Sequence, residues 1–559
     1  MRKKSFNTHL AERRRQRCLA ILAAGAAVLP ACSALASLLG QQLYPPDYPW
    51  NQNISNAPVA TNSAAIIAHI GGTVRIHPDW GSDSPANGNS PLYGIPYNVV
   101  HGNSTAKINV IIDNYPGESD IQAVPIPTNA VIEGDYQDGP NPYGAGYSTN
   151  NLQRGDSHLI VWDEDNNIGY ELYGTTRPAD TNLFPNTDGN ELSHTDGKWH
   201  AAQETVWNFS TDNFRLLGET SADAAGLSIL AGLVRPDEGL PASQGGQGAI
   251  THAMRMTLPG GDVNPQYIYP ASHMVSESQS ATRVPLGARF RLQNNLAVNT
   301  LISNMPPESQ IVAHAMQQYG LILADIGSAM YVTGTSASEN ATNGINLVWN
   351  QNDIFAGNGL AVLRASNFDV VNLQPMVAGL SASSGSAGSA LTINGQNFSG
   401  AAGNISVFFG TNVAHSVNVL NDTNISVTVP SGTGTLDVTV QSGTNETDTI
   451  SDSPGDNVNA PVFGYGTSAL TNSDKFTFLT FVPAPSIQQV SNNSGNFIMT
   501  GTNNFGPGGT YHVLASTNLL LALTNWTVLA SGSFDTKGKF SFTNTLSTTS
   551  WQFFLLRVP

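Results

Sequence analysis

The stretch DSHLIVWDEDNNIGYELYG (Asp156–Gly174) sets two apolar-aromatic runs, HLIVWD and IGYELYG, on either side of Glu164–Asn167. Asp and Asn at such a junction accept tight-turn geometry and hydrogen-bond the turn with their own side chains, so the stretch reads as a β-hairpin. Similar runs recur outward from it between about Ile66 and Arg364, among them KINVIID, THAMRMTL, GARFRL and LILADIG. Short runs bounded by turn residues predict a mainly β fold, with a large β-rich domain over residues 41–370. One clear helix interrupts it, in SNMPPESQIVAHAMQQYGL. There Pro306 and Pro307 stand at the start, Ile311, Ala315 and Tyr319 repeat along one face, and Gly320 ends it. SADAAGLSILAGLV (Ser221–Val234) is apolar and rich in small residues, and reads as a short helix or a buried loop.

The hairpin also carries acidic side chains. Asp163, Asp165 and Asn167 match the first three ligand positions of an EF-hand calcium loop, but Ile168 and Gly174 stand where its Gly and bidentate Glu belong. The favoured reading is a solvated acidic turn, with calcium at a site of another type left open and no other cofactor expected. Glu171 differs because it lies inside a strand, where alternation puts Gly169, Glu171 and Tyr173 on one face. A carboxylate beside an aromatic on a concave sheet face suits a sugar, and an exposed face with a stray Glu reads the same way.

Glycoside hydrolysis needs two carboxyl groups flanking the bond, one protonated and one ionised. Glu171, Asp223, Asp237 and Glu238 are the candidates. His252 (in ITHAMRMTL) and His273 (in YIYPASHM) near strand ends would be a general base and its partner, or metal ligands with Asp325. Packed, hydrogen-bonded histidines are the competing reading. His194 and His200 in ELSHTDGKWH read as loop residues. The aromatics Tyr93, Tyr97, Trp162, Tyr170, Tyr173, Trp199, Trp207, Tyr267 and Tyr269 offer either sugar-stacking platforms or core. No HExxH, GxSxG or phosphate-loop motif is present, which argues against zincin, α/β-type serine hydrolase and nucleotide chemistry.

A chain of 559 residues is too long for one core. Charged residues make up 11%, against about 25% in typical soluble domains. The net charge is −17, and the first 36 residues hold seven Lys/Arg against one Glu, so the remainder is more acidic still. Such a chain cannot neutralise many phosphates, which excludes nucleic acid as a partner. Both cysteines, Cys18 and Cys32, lie in that leader. A basic segment ending at Arg17, an apolar run from about Cys18 to Leu29, and Ala34-Leu35-Ala36 read as a signal peptide over residues 1–36. Export to the cell surface or the extracellular space is expected. Leu29-Pro30-Ala31-Cys32 is an imperfect lipobox, and lipidation of Cys32 would be the one membrane tether.

From Pro375 the texture changes to Gly/Ser/Thr/Val strands. Ser381–Gly388, the strand Thr392–Phe398, Val407–Gly410 and Val429–Gly432 reproduce the turn-strand-strand pattern of the IPT/TIG family of immunoglobulin-like domains. The resemblance spans residues 375–480 and implies a β-sandwich, with the polar insert Asn445–Asp474 before the closing strand KFTFLTF as the departure. After the linker Val482–Ser486, residues 486–559 resemble the small C-terminal β-sandwich modules of secreted multidomain bacterial proteins, through Tyr511, ASTNL, NWTVL and WQFFLLRV. HLIVWDEDNNIGYELYG, TSADAAGLSILAGLVRPDEG and YGLILADIGSAMYVTG resemble an uncharacterised secreted bacterial family, which brings no catalytic role with it. The expectation is an exported modular protein whose N-terminal domain binds or processes a polysaccharide or surface glycan. A non-catalytic adhesion protein is the rival.

Overall fold

The structure is a computed structural model that describes residues 37–80, 94–134, 156–180, 189–275, 279–335, 338–339, 347, 349, 351–444, 463–479, 485–503, 508–546 and 552–558. The leader with Cys18 and Cys32, Tyr93, most of the linker and residues 445–462 of the insert lie outside the described residues. The chain divides into two compact units. The first takes Met1–Pro375, Asn397–Ile405 and Ser442–Gly466; the second takes Met376–Gln396, Ser406–Gln441 and Thr467–Pro559.

Two sheets organise the first unit. In chain order its strands are β1 (His77–Asp79), β2 (Tyr97–Val100), β3 (Leu159–Asp163), β4 (Ile168–Tyr173), β5 (Gln203–Asn208), β6 (Met254–Leu258), β7 (Arg289–Leu292), β8 (Leu321–Ile326), β9 (Tyr331–Thr333), β10 (Ser338–Glu339) and β11 (Phe368–Val370). One sheet has the order β5-β4-β3-β2-β10, the other β11-β7-β8-β6-β9-β1. β3 and β4 are the expected hairpin, with Leu159 opposite Leu172 and Asp163 opposite Ile168. Asn167 takes the left-handed conformation at its turn (φ 56°), which Asn tolerates better than most residues.

HLIVWD is continuously apolar because its strand is covered on both faces. Leu159 and Val161 point into a small core with Tyr170 and Leu172. Ile160 and Trp162 point into the large core, which also holds Met254, Met256, Phe290 and Leu321–Ala324. That double coverage decides the fate of Glu171, whose face is interior and not a concave solvent face.

The helix expected after Pro306 runs Pro307–Gln318, with Pro306 as its N-cap and Gly320 beyond its end at φ 74°. It is not the only one. Ser63–Ile70 and Leu296–Ser303 are also helical, the second capped by Asn295, whose side chain accepts from the Val298 amide at 3.0 Å. Eight residues give barely two turns of periodicity, so their pattern is weak in the sequence. Ser221–Val234 resolves into a buried loop followed by one helical turn, Ile229–Gly232, capped by Ser228.

In the second unit Met376–Leu380, Ala390–Gln396, Asn424–Thr428 and His415–Asn421 form one sheet. The closing strand is Lys475–Phe478, which pairs antiparallel with Thr435–Asp437 and parallel with Ser384–Gly385. The C-terminal part has two three-stranded sheets around Met499, Tyr511, Val513, Phe534, Phe540 and Phe542. Strands dominate the described residues, so the protein is mainly β. No helix among them is long and apolar enough to cross a membrane.

Candidate functional site

The sequence-predicted residues separate into three places. Glu171 is fully buried, and its carboxylate accepts from Trp207 Nε1 (2.9 Å), Ser228 Oγ (2.7 Å) and the amides of Ile229 (2.8 Å) and Leu230 (2.9 Å). Four donors saturate it. It fastens the helical turn Ile229–Gly232 onto β4 and has no open side for a sugar. Burial pushes its carboxyl up to about 7 in spite of those donors. In a Glu171→Gln chain the amide NH2 replaces one acceptor oxygen and meets at least one N–H that can only donate, and the chain is expected to lose about 1–3 kcal/mol of stability. Urea unfolding at pH 6 measures this; an unchanged midpoint would remove the fastener role.

Asp237, Glu238 and His252 form a second closed group around Arg235, all of them buried. Arg235 Nη2 donates to Glu238 Oε2 at 3.0 Å and its Nε lies 3.6 Å from Asp237 Oδ1. His252 Nε2 lies 2.9 Å from Glu238 Oε1, and its Nδ1 lies 2.6 Å from the Ala253 carbonyl. Asp237 Oδ2 accepts from the Leu39 amide at 2.9 Å. These are internal fasteners, and they do not join Glu171 as a carboxylate pair. His252 and His273 do not converge on Asp325 either: His273 Nδ1 lies 2.8 Å from the Ala224 carbonyl.

The calcium candidates also turn out to be turn acceptors. Asp163 Oδ1 accepts from the amides of Gly102 (3.1 Å) and Asp165 (3.0 Å), and Asp165 Oδ2 from Asn103 N (3.1 Å). Asn167 Oδ1 accepts from Trp162 Nε1 at 3.2 Å. The side-chain oxygens are directed at hairpin and loop donors and not at a common centre. Of the candidate aromatics, Tyr97, Trp162, Tyr170, Trp207, Tyr267 and Tyr269 are buried, and only Tyr173 and Trp199 among the described ones are partly exposed.

The third place gathers chemistry. Arg255 projects from β6 away from Met254 and Met256, as the alternation predicts. Its Nε and Nη2 hold Asp223 in a two-point pair (2.9 and 2.7 Å), and its Nη1 donates to Thr333 Oγ1 on β9 at 2.6 Å. Asp325 at the end of β8 lies 3.7 Å from the same Nη2, close enough to Asp223 for the two carboxyl groups to interact. Two neighbouring carboxyl groups resist ionising together. Burial, reinforced by the Asp223 charge, pushes the Asp325 carboxyl well above its ordinary range. Unlike Asp223, which is fully buried, Asp325 keeps 19% of its side chain open to solvent.

Two backbone devices aim this pair. Between β6 and β8 the register slips by one residue, from Met256 opposite Leu323 to Thr257 opposite Asp325. Such a slip turns the strand locally and re-aims the next side chain. The Asp223 loop is pinned by Ser221 Oγ, which accepts from Asp223 N at 3.0 Å, and by Ala225 N on the Ala324 carbonyl at 2.9 Å. Gly226 sits in it at φ 70°, and a Cβ there would meet Ser272 Oγ at 1.9 Å, so only Gly fits.

Around the pair stand Asp79, Glu133, Asp156 and His158. Glu133 Oε2 lies 2.5 Å from His158 Nδ1, and His158 Nε2 lies 3.0 Å from the Ala222 carbonyl. Acceptors at both ring nitrogens call for the imidazolium. Burial works against that charge, but Glu133 outweighs it and pushes the His158 pKa to about 9. Asp79, at the end of β1, is pushed up to about 6 by burial and by the Glu133 charge. With the carboxyl groups outnumbering Arg255 and His158, protons stay where acids would ordinarily have lost them. The arrangement can deliver a proton from Asp325 and stabilise positive charge with its ionised neighbours.

Of the residues in this neighbourhood, the sequence marks Asp223 and His273 as candidates, and Asp325 only as a metal ligand. It passes over Arg255, Glu133 and His158. The signal available was a lone Arg at a core-strand position, ITHAMRMTL, which demands a buried carboxylate partner.

Residues 375–459 match the IPT/TIG domain family. No curated protein matches the chain. Among solved structures, an auxiliary nutrient binding protein from Bacteroides thetaiotaomicron is 16% identical, with 31% of this chain and 38% of that chain covered and a TM-score of 0.13. A gamma-CGTase from alkalophilic Bacillus clarkii is 13% identical, with 35% and 26% covered and a TM-score of 0.14. A cytokine receptor complex is 10% identical, with 32% and 88% covered and a TM-score of 0.16. The chain thus spans well under half of the first two relatives' own length. This chain carries an IPT/TIG immunoglobulin-like domain at residues 375–459.

Proposed function

We propose that the chain is exported and that its first unit cleaves a polysaccharide by acid–base chemistry at the Asp325–Asp223 pair. The IPT/TIG domain and the C-terminal sandwich would act as spacer or attachment modules. The observation that carries this reading is a partly open Asp325 set beside an Asp223 that is locked on Arg255. Breaking a glycosidic bond needs a protonated carboxyl group beside the leaving oxygen and a negative charge near the developing oxocarbenium ion. Asp325 fits the first role. Asp223 and Glu133 fit the second electrostatically, and Tyr173, its ring 5.5 Å from that of His158, is a candidate to position a sugar ring.

The rival reading is a non-catalytic adhesion protein. It gains from the sealed positions of Glu171, Asp237 and Glu238. Incubating the purified chain with a panel of neutral and acidic polysaccharides separates the two. New reducing ends or unsaturated products are expected; retention of a glycan with no product over a prolonged incubation would establish the rival.

A further inference from the structure

Three side chains far apart in sequence meet at one edge of the first unit. His200 begins the short strand His200–Ala201, which pairs parallel with Ile111–Ile112, so His200 lies beside Ile111 and next to Asp113. The Asp113 amide donates to the Ala201 carbonyl at 2.9 Å, which locks that neighbour in place. His194 comes from the preceding loop and lays its ring flat on that of His200, with centroids 3.6 Å apart and planes within 5°. Both imidazoles face one carboxylate oxygen. Asp113 Oδ2 is 2.9 Å from His200 Nδ1 and 3.4 Å from His194 Nε2.

Hydrogen bonding accounts for His200, whose ring nitrogens face Asp113 and Asp196, and leaves His194 unexplained. His194 Nε2 is shielded from solvent, yet makes no hydrogen bond. A cation shared by all three groups satisfies them once the rings tilt out of their parallel stack, so that each ring plane meets the ion. The ligand atoms lie within 4.8 Å of one another. Tetrahedral zinc, with bonds of about 2.0–2.2 Å, separates its ligand atoms by about 3.3–3.6 Å, which the 3.4 Å between Asp113 and His194 meets and the 2.9 Å to His200 reaches after a small opening. The far side of His200 supports the same reading. Its Nε2 lies 3.1 Å from Asp196 Oδ1, a carboxylate–histidine arrangement that orients a metal-bound imidazole and raises its basicity.

We propose that Asp113, His194 and His200 bind a divalent first-row transition metal ion, with Asp196 orienting His200. Two imidazoles and one carboxylate favour zinc over calcium or magnesium, which take oxygen ligands. Three protein ligands leave a fourth position for water or an incoming group. The ion would clamp the loop carrying His194 to the strand pair. This site shares no residue with the Arg255 cluster, and its fate is independent of that cluster's chemistry.

The test uses the full chain without a histidine tag, freed of metal with a chelator and titrated with zinc by calorimetry. Cobalt serves as the spectroscopic probe. One ion per chain is expected, with a cobalt ligand-field spectrum typical of four- or five-coordinate nitrogen and oxygen ligation. His194→Ala and Asp113→Asn, both at positions that are not fully buried, should abolish the spectrum while circular dichroism stays unchanged. Asp196→Asn should weaken zinc binding about 10–100-fold without abolishing it. Failure of the unaltered chain to take up zinc or cobalt at micromolar concentration overturns the proposal. So does a spectrum that survives in both ligand variants.

Discussion

An Asp325→Asn chain is expected to cleave its responsive polysaccharide about 10²–10⁴-fold more slowly than the unaltered chain, the usual worth of a positioned proton donor. Asparagine keeps the shape and can donate to Asp223, so folding should survive; it cannot release a proton to a leaving oxygen. The pH profile carries the sharper information. Asp325 works in its protonated form, and burial with the Asp223 charge keeps it protonated well above the ordinary carboxyl range. The unaltered rate should therefore persist above the ordinary carboxyl range and fall once Asp325 loses its proton. The variant's residual rate should lack that limb. Reducing-end release at saturating polysaccharide across pH 5–10 measures both. Equal rates in the two chains would take Asp325 out of the chemistry, even if cleavage itself were real.

Stability is expected to fall as pH rises from 5 to 9, the reverse of a protein held by ordinary exposed ion pairs. Burial raises the carboxyl groups of Asp79 and Asp237 to about 6, Glu171 to about 7 and Glu204 to about 8. The Glu133 partner raises His158 to about 9 against the effect of burial. Each is displaced upward, so the folded chain holds protons that the unfolded chain has already released. The stabilising contribution is complete below the unfolded values, about 4 for the carboxyl groups and about 6.5 for histidine, and is lost as pH climbs through the folded ones.

His77 works in the opposite direction, since burial lowers its pKa, but it is a single half-buried group. A tenfold displacement of one ionisation corresponds to about 1.4 kcal/mol, and after relaxation and solvent screening the combined loss between pH 5 and 9 should be about 3–6 kcal/mol. Thermal unfolding at constant ionic strength should show the midpoint dropping across this range. The drop should be shallower in Glu171→Gln, which removes one of the contributing groups. A midpoint that rises toward pH 9 would contradict the assignment of these groups as buried proton holders.

Much of the architecture was legible in the chain itself. The paired apolar runs around Glu164–Asn167 specify a hairpin because local turn chemistry and alternation need only neighbouring residues. The same holds for the helix behind Pro306 and Pro307, and for the Gly- and Val-rich pattern from Ser381 to Gly432. Residue types at set spacings encode such features directly.

The site was not legible in that way. Glu171 and Asp223 look alike as isolated acids in apolar surroundings. One faces four donors in a doubly covered sheet, the other a guanidinium and a second carboxyl. The difference arises from what packs above each strand, and no local pattern carries that information. A one-residue register slip between β6 and β8 turns Asp325 toward Asp223, and a slip depends on pairing between segments some seventy residues apart. His194 and His200 read as loop residues because their common partner, Asp113, lies on a different strand. Sequence alone thus determined which local structures form and which groups could ionise. Tertiary packing decided which carboxyl groups were sealed by donors, which were set against another carboxyl, and which reached solvent, because ionisation responds to the whole three-dimensional surroundings of a group.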